Sequence, residues 1–262
     1  MKKIIVLAAV AAMLPVSLMA QTAPDGGLSP EVLSRISKGY TGTSYDKAVR
    51  NALAGSSVNV MATNAENASM IDTHFSDRVK TKGITDQKSS GRCWLFTGLN
   101  VLRAKMIEKY NLGSFTFSQN YLFFYDQLEK ANLFLQGVID TRKLPFDDRK
   151  VDWLFSNPLS DGGQFTGVSD LAMKYGLVPS EVMPETYSSN NTSQMALQLK
   201  TILRQGGLAL RAAYDASPAA SAKGKNAAAA EAKVNAELLK IKESVLTDVY
   251  RILSLCLGVP PA

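Results

Sequence analysis

Residues 87–95, QKSSGRCWL, decide the interpretation of this 262-residue chain. After Cys93 the apolar residues recur at steps of three and four, which predicts a helix. They are Leu95, Phe96, Leu99, Leu102 and Met106. Asn111 and Gly113 are residue types that end helices in a left-handed conformation, so the helix is expected to run from Cys93 to about Tyr110.

The position of the cysteine predicts a chemistry. Ser89-Ser90-Gly91 offers capping oxygens and a flexible turn, so Cys93 is expected in the first turn of the helix. Free N–H groups and the helix dipole stabilise a thiolate there, and a thiolate attacks carbonyl groups. Gln87 could donate an N–H to the resulting oxyanion, with the backbone N–H of Cys93 as second donor. A buried cysteine on a core helix is the structural alternative.

The whole stretch 83–96 resembles the papain-like cysteine peptidases, and within them the bleomycin hydrolase / aminopeptidase C branch. Two residues depart from the common papain signature. Ser90 stands at the first cysteine of that signature, which removes a disulfide partner and fits this branch, and Arg92 stands at a small-residue position. The resemblance implies that Cys93 is the nucleophile and Gln87 the oxyanion donor.

A glycine pair in Asp161-Gly162-Gly163-Gln164-Phe165 is the second informative stretch. Paired glycines let another backbone approach closely. In papain-like enzymes a similar pair hydrogen-bonds the substrate main chain, as a short added strand would. The resemblance therefore implies that Gly162, Gly163 and Trp94 bind substrate, whereas the alternative is an ordinary turn before a helix. Residues 174–179 and 183–186 also resemble this branch.

The resemblance implies a mainly α fold, namely the helical left lobe of the α+β papain-like fold with a helical insertion and without the β-rich right lobe. The expected segments are a signal peptide at 1–20, an N-terminal arm at 21–70, a helical lobe carrying the nucleophile at 71–204, and a truncated helical insertion at 205–262.

Several element boundaries follow from local signals. Ser29 and Pro30 are expected to start a short helix, and Ser118 is expected to cap a helix within 115–131. Gly206-Gly207 is expected to end a helix over 194–204, and an apolar stripe predicts another helix over 231–257. Residues 54–70 have no clear period and are expected to form an extended arm.

Charge and composition exclude some classes of partner. The formal net charge is +6, without a basic stripe interleaved with aromatic residues, so nucleic acid is not an expected partner. Residues 1–20 have two lysines, an apolar run and Ala20, as in a bacterial secretory signal. The chain is therefore expected in the periplasm or outside the cell, with no membrane association after signal cleavage.

The two cysteines, Cys93 and Cys256, are not expected to form a disulfide. Cys256 lies on an apolar helical stripe, where a free cysteine usually packs as a small hydrophobe. No His/Cys/Asp cluster has the spacing of metal ligands, so neither a metal nor another cofactor is expected. A thiol redox protein is the least favoured class, because the chain has no C-x-x-C motif.

The only histidine, His74, precedes Cys93 by nineteen residues. The family takes its histidine base and its asparagine from far downstream, on the β-rich lobe, so His74 is expected to be structural or a surface residue. The resemblance thus implies an N-terminal fragment that is inactive alone, because a catalytic triad acts as a unit.

The predicted function is an exported papain-like cysteine aminopeptidase that cleaves peptides through an acyl-enzyme at Cys93. The family further implies a self-enclosing homohexamer and a C-terminal tail that restricts cleavage to free N-termini. A non-catalytic exported protein that binds peptides or pairs with another chain is the alternative.

Overall fold

The computed structural model describes residues 27–79, 81–222 and 226–261, in two compact units divided after Phe75. Within these residues only isolated β-bridges occur, and no sheet forms. The prediction of a mainly α fold is confirmed. The predicted signal peptide, 1–20, lies outside the described residues.

From residue 27 onward, the N-terminal unit contains four helices: α1 (Pro30–Gly39), α2 (Ser44–Gly55), α3 (Val58–Ala62) and α4 (Ala65–Ser69). Ser29 caps α1 through a bond from the Val32 N–H, as predicted. The two short helices correct the extended arm predicted for 54–70. Their starts are set by the Ser57 and Asn64 side chains, and one turn of helix is too short to show an apolar period.

The C-terminal unit contains the remaining described α-helices: α5 (Cys93–Tyr110), α6 (Gln119–Asp140), α7 (Arg149–Ser156), α8 (Phe165–Tyr175), α9 (Tyr187–Asn190), α10 (Ser193–Asp215) and α11 (Ala227–Leu257). A short 3-10 helix, Pro218–Ala220, lies between α10 and α11. Asn111 ends α5 in the left-handed conformation (φ 49°, ψ 44°), as predicted. Ser118 caps α6 by accepting the Tyr121 N–H, also as predicted.

Helix α6 is the centre of this unit and packs against α5, α7, α8, α10 and α11. It extends beyond the predicted end at 131 to Asp140, and apolar residues along its whole length are buried. These include Leu122, Phe123, Phe124, Ala131, Leu135 and Val138. Burial by several neighbouring helices stabilises a helix of this length more than local propensity does.

Helix α10 is continuous through Gly206 and Gly207, so the predicted helix end at these glycines is wrong. Both glycines are buried at helix contacts. A Cβ at Gly206 would lie 2.7 Å from Cγ2 of Val245 on α11, and one at Gly207 would lie 3.0 Å from Phe155. The glycines therefore allow close helix packing, and the boundary proposed at 204/205 falls within α10.

Helix α11 confirms the apolar stripe predicted over 231–257, with Val234, Leu238, Val249, Leu253 and Leu257 buried. Cys256 on this helix is half-buried and packs against the core. Among the described residues, no helix has both the length and the apolar character needed to cross a membrane.

We expect Gly206→Ala to lower the free energy of unfolding by about 1–3 kcal/mol, because overpacking at Val245 exceeds the gain in helix propensity. Urea denaturation followed by far-ultraviolet circular dichroism measures the change. Gly206→Ala/Val245→Ala should be more stable than the sum of the two single changes predicts, since the second change removes the clash. A single variant as stable as the wild type would contradict close packing at Gly206.

Candidate active site

Cys93 is the first residue of α5, and its side chain is exposed. The preceding residue, Arg92, is the N-cap, and its carbonyl accepts the N–H groups of Leu95 and Phe96 at 3.0 Å each. The thiol therefore stands at the start of a helix, as the sequence predicts, and the alternative of a core cysteine is wrong. Cys93 and Cys256 are both free.

The serines before Cys93 do not cap α5, which corrects the predicted capping. Ser90 Oγ instead donates to the carbonyl of Gln87 (2.6 Å) and accepts from Arg92 Nε (3.0 Å). Ser89 forms a β-bridge with Asn191. The serines thus fix the loop itself. Among the described residues the Cys93 N–H has no acceptor, so no other hydrogen bond occupies it.

Gln87 is half-buried, and its Nε2 donates to the Ser90 carbonyl at 2.6 Å. This bond ties the amide to the loop that leads into Cys93. A side-chain amide carries two N–H groups, so a second one is left for another acceptor. The arrangement is compatible with an oxyanion donor, and that role stays a prediction.

The side chain of Arg92 is fully buried and forms a two-pronged ion pair with Glu185. Nη1 lies 3.1 Å from Oε1 and Nη2 lies 2.8 Å from Oε2, while Ser189 Oγ donates to the same Oε2 at 2.7 Å. The rings of Phe96 and Phe123 have their centroids 5.0 and 5.2 Å from the guanidinium carbon. The sequence feature that could have indicated this buried ion pair is Arg92 itself, a large charged residue where the common papain signature has a small one.

Asp161 connects the loop before Cys93 with the glycine pair. Its Oδ2 accepts the Gly91 N–H (2.7 Å) and the Thr192 hydroxyl (2.8 Å), and its carbonyl accepts Trp94 Nε1 (2.9 Å). Burial alone would raise the pKa of Asp161, but these hydrogen bonds to the carboxylate hold the pKa below its ordinary value. In the sequence, Asp161 stands out only as the first residue of the glycine stretch, and no local pattern predicts this contact.

One residue of the glycine pair, Gly163, packs against the Trp94 ring. Trp94 is only 8% exposed, and a Cβ at Gly163 would lie 2.6 Å from its Cε2, so this contact requires glycine. Gly162 and Gly163 are both exposed. Among the described residues, the N–H and carbonyl of Gly163 have no partner. Trp94 therefore supports a loop with an open backbone edge, and substrate contacts by Trp94, Gly162 and Gly163 stay predictions.

His74 belongs to the N-terminal unit, and its side chain is exposed. Its backbone N–H donates to Asp72 Oδ1 at 2.8 Å. This places it on the surface of its own unit.

We expect Glu185→Gln to lower the free energy of unfolding by about 3 kcal/mol, because it leaves the buried Arg92 charge without a counter-charge. Chemical denaturation measures this loss. Glu181→Gln is the matched control, since Glu181 is an exposed glutamate in the same loop. Equal stability of the two variants would show that Arg92 does not need Glu185.

Asp161→Asn should lower the free energy of unfolding at pH 7 by about 1 kcal/mol, because bonds to a charged acceptor are stronger than those to an amide. A depressed pKa in the folded state adds stability above the unfolded value near about 4, and this stability is lost as the pH falls through the folded pKa. The wild type and the variant should therefore converge in strong acid. Asp170→Asn, at an exposed aspartate on α8, should not change this pH dependence.

Comparison with known proteins identifies the group to which the chain belongs. Residues 27–262 match the model of the Peptidase C1-like family. Aminopeptidase C of Lactobacillus delbrueckii subsp. lactis is 40% identical over 191 residues, which are 73% of this chain and 39% of that protein. Aminopeptidase E of Lactobacillus helveticus is 36% identical over 234 residues, 89% of this chain and 50% of that protein.

Two further relatives agree. Bleomycin hydrolase of Gallus gallus is 38% identical over 182 residues, 69% of this chain and 37% of that protein. The crystal structure of PepW from Lactobacillus rhamnosis HN001 (DR20) superposes with a TM-score of 0.75 at 33% identity, and covers 91% of this chain and 50% of that one. The chain thus spans half or less of the length of these relatives.

The match extends through the described helices, and it includes α5 with Cys93 at its start and Gly163 beside Trp94. It also confirms the resemblance to the bleomycin hydrolase / aminopeptidase C branch. This chain belongs to the Peptidase C1-like family.

Proposed function

We propose that this chain forms the nucleophile-bearing part of a cysteine aminopeptidase, with Cys93 as the nucleophile. The observation that carries the proposal is the exposed thiol at the uncapped start of α5. A helix start without a side-chain cap leaves N–H groups unpaired at the positive end of the helix dipole, which is where Cys93 lies. The relatives named aminopeptidase support this reaction class.

In this proposal the sulfur of Cys93 attacks the carbonyl carbon of the peptide bond, and the carbonyl oxygen takes the negative charge. The Cys93 N–H and the second N–H of Gln87 donate to that oxygen. The amine then leaves with a proton, and a thioester joins the acyl group to Cys93. Water hydrolyses the thioester and restores the thiol.

Proton transfer in this reaction also needs a base, which neither Cys93 nor Gln87 supplies. Papain-type chemistry uses a histidine oriented by an asparagine, and His74 is the one histidine of the 262 residues. We propose that the histidine and asparagine come from a part of the protein outside these residues, as the greater length of the relatives suggests. The 262-residue chain alone should then cleave peptides at least about a thousandfold more slowly than a complete site.

Peptides are the proposed substrates, held along the open backbone edge of Gly163. Periplasmic or extracellular location is proposed from the composition of residues 1–20, and a homohexamer from the family resemblance. A binding protein without catalysis is the competing function, favoured by the single histidine.

A pair of thiol reagents tests the proposed chemistry. Iodoacetamide alkylates a thiolate directly, whereas attack on the ketone of a dipeptidyl chloromethyl ketone develops an oxyanion. We expect Gln87→Ala to slow the reaction of Cys93 with the ketone about tenfold to a hundredfold, with the iodoacetamide rate unchanged. Mass spectrometry of the alkylated residue against time measures both rates.

Cys93→Ala is the control for labelling at Cys256, which is half-buried and should react slowly. If the wild-type chain binds the ketone without alkylation of Cys93, the binding function is favoured. If Gln87→Ala slows both reagents equally, Gln87 supports the loop and is not an oxyanion donor.

A further inference from the structure

Lys130 on α6 contacts Ser160 and Gly162, and it lies near Trp94, the residue after Cys93. Its Nζ is 2.7 Å from Asp126 Oδ2, 3.0 Å from the Ser160 carbonyl and 2.7 Å from the Gly162 carbonyl. It also lies 5.3 Å from the centroid of the Trp94 ring. A lysine ammonium has three donors, and three acceptors surround this one.

The lysine is held in place by a buried partner. Asp126 is 6% exposed, and the Lys130 side chain is 26% exposed. They are four residues apart on α6, so both project from the same face of the helix. Burial raises the pKa of Asp126, and the Lys130 charge opposes that effect by favouring the carboxylate. The ammonium therefore has one strongly preferred position under the loop formed by residues 160–163, here called the glycine loop.

Within the glycine loop, the Gly162 carbonyl depends on this lysine alone. The Ser160 carbonyl has a second donor, Gln127 Nε2 at 3.2 Å, whereas Lys130 is the one donor to the Gly162 carbonyl among the described residues. Two adjacent glycines have more backbone freedom than any other pair of residues. A donor that fixes the Gly162 carbonyl therefore also orients the peptide unit that carries the Gly163 N–H.

We propose that Lys130 is a positioning residue for peptide binding: it turns the Gly162 carbonyl inward, so that Gly163 presents its free N–H to an extended substrate main chain. This inference rests on the proposed function, because it assigns Gly163 to substrate. It separates two roles within the site. Gln87 and the start of α5 serve the reacting carbonyl, and Lys130 serves the recognition of the neighbouring main chain.

The test compares Lys130→Met with the wild-type chain, using a reagent that needs the main chain and one that does not. For a dipeptidyl chloromethyl ketone, the concentration giving half-maximal inactivation of Cys93 should rise about tenfold or more, since misplaced binding groups lose affinity steeply. The iodoacetamide rate at Cys93 should stay within about twofold, because alkylation by this small reagent does not use the glycine loop. Lys174→Met is the matched control: Lys174 pairs with Glu129 at the surface and should affect neither rate.

Hydrogen–deuterium exchange of the segment 158–167 is a second measurement, independent of ligand. It should speed up in Lys130→Met and not in Lys174→Met. If Lys130→Met does not fold because Asp126 is left unpaired, Lys130→Met/Asp126→Asn removes both charges together with the donor to Gly162 and allows the same comparison.

An unchanged half-maximal concentration overturns the proposal, as does a proportional loss with both reagents, which would show a purely structural lysine. If the wild-type chain shows no saturation with the ketone, the proposed peptidase function fails. In that case, unchanged exchange over 158–167 in Lys130→Met also contradicts the inference that Lys130 fixes the glycine loop. Faster exchange supports that part of the inference.

Discussion

The structure around the candidate nucleophile depends on one buried charge. The Arg92 guanidinium is removed entirely from water, and within the described part of the chain the Glu185 carboxylate is its one counter-charge. Desolvating a cation is costly unless both the pairing and the geometry are good, so the two-pronged contact leaves Arg92 little freedom. Its backbone is the N-cap of α5. Immobilising Arg92 therefore fixes the backbone from which the next residue, Cys93, projects.

A second constraint sets the distance between the nucleophile and the glycine loop. Asp161 accepts hydrogen bonds from Gly91 and Thr192 through its carboxylate and from Trp94 through its carbonyl. One residue thus connects the loop before Cys93, the start of α10 and the glycine pair. Hydrogen bonds to charged groups hold these loops, while the packed helices α6, α10 and α11 provide the rigid support.

Local signals predicted much of the fold. Ser29, Ser118 and Asn111 mark helix ends through bonds or dihedral angles that involve only neighbouring residues, and all three predictions are confirmed. The helix end predicted at the glycines of α10 is wrong, because Gly206 is required by a side chain on another helix and not by a local turn. The capping predicted for the serines before Cys93 is wrong for a similar reason, since Ser89 pairs with a distant segment.

By itself, the sequence determined the mainly helical fold, the family resemblance, and the placement of Cys93 in the first turn of a helix. These depend on residue types at short spacing, which act through local backbone conformation and apolar periodicity. Only the tertiary structure decided what holds the site together, namely the pairing of Arg92 with Glu185, the bridging by Asp161, and the position of Lys130 under Gly162. Such contacts join residues far apart in the chain, and whether a charge is buried or exposed is a property of the packed fold that no local pattern encodes.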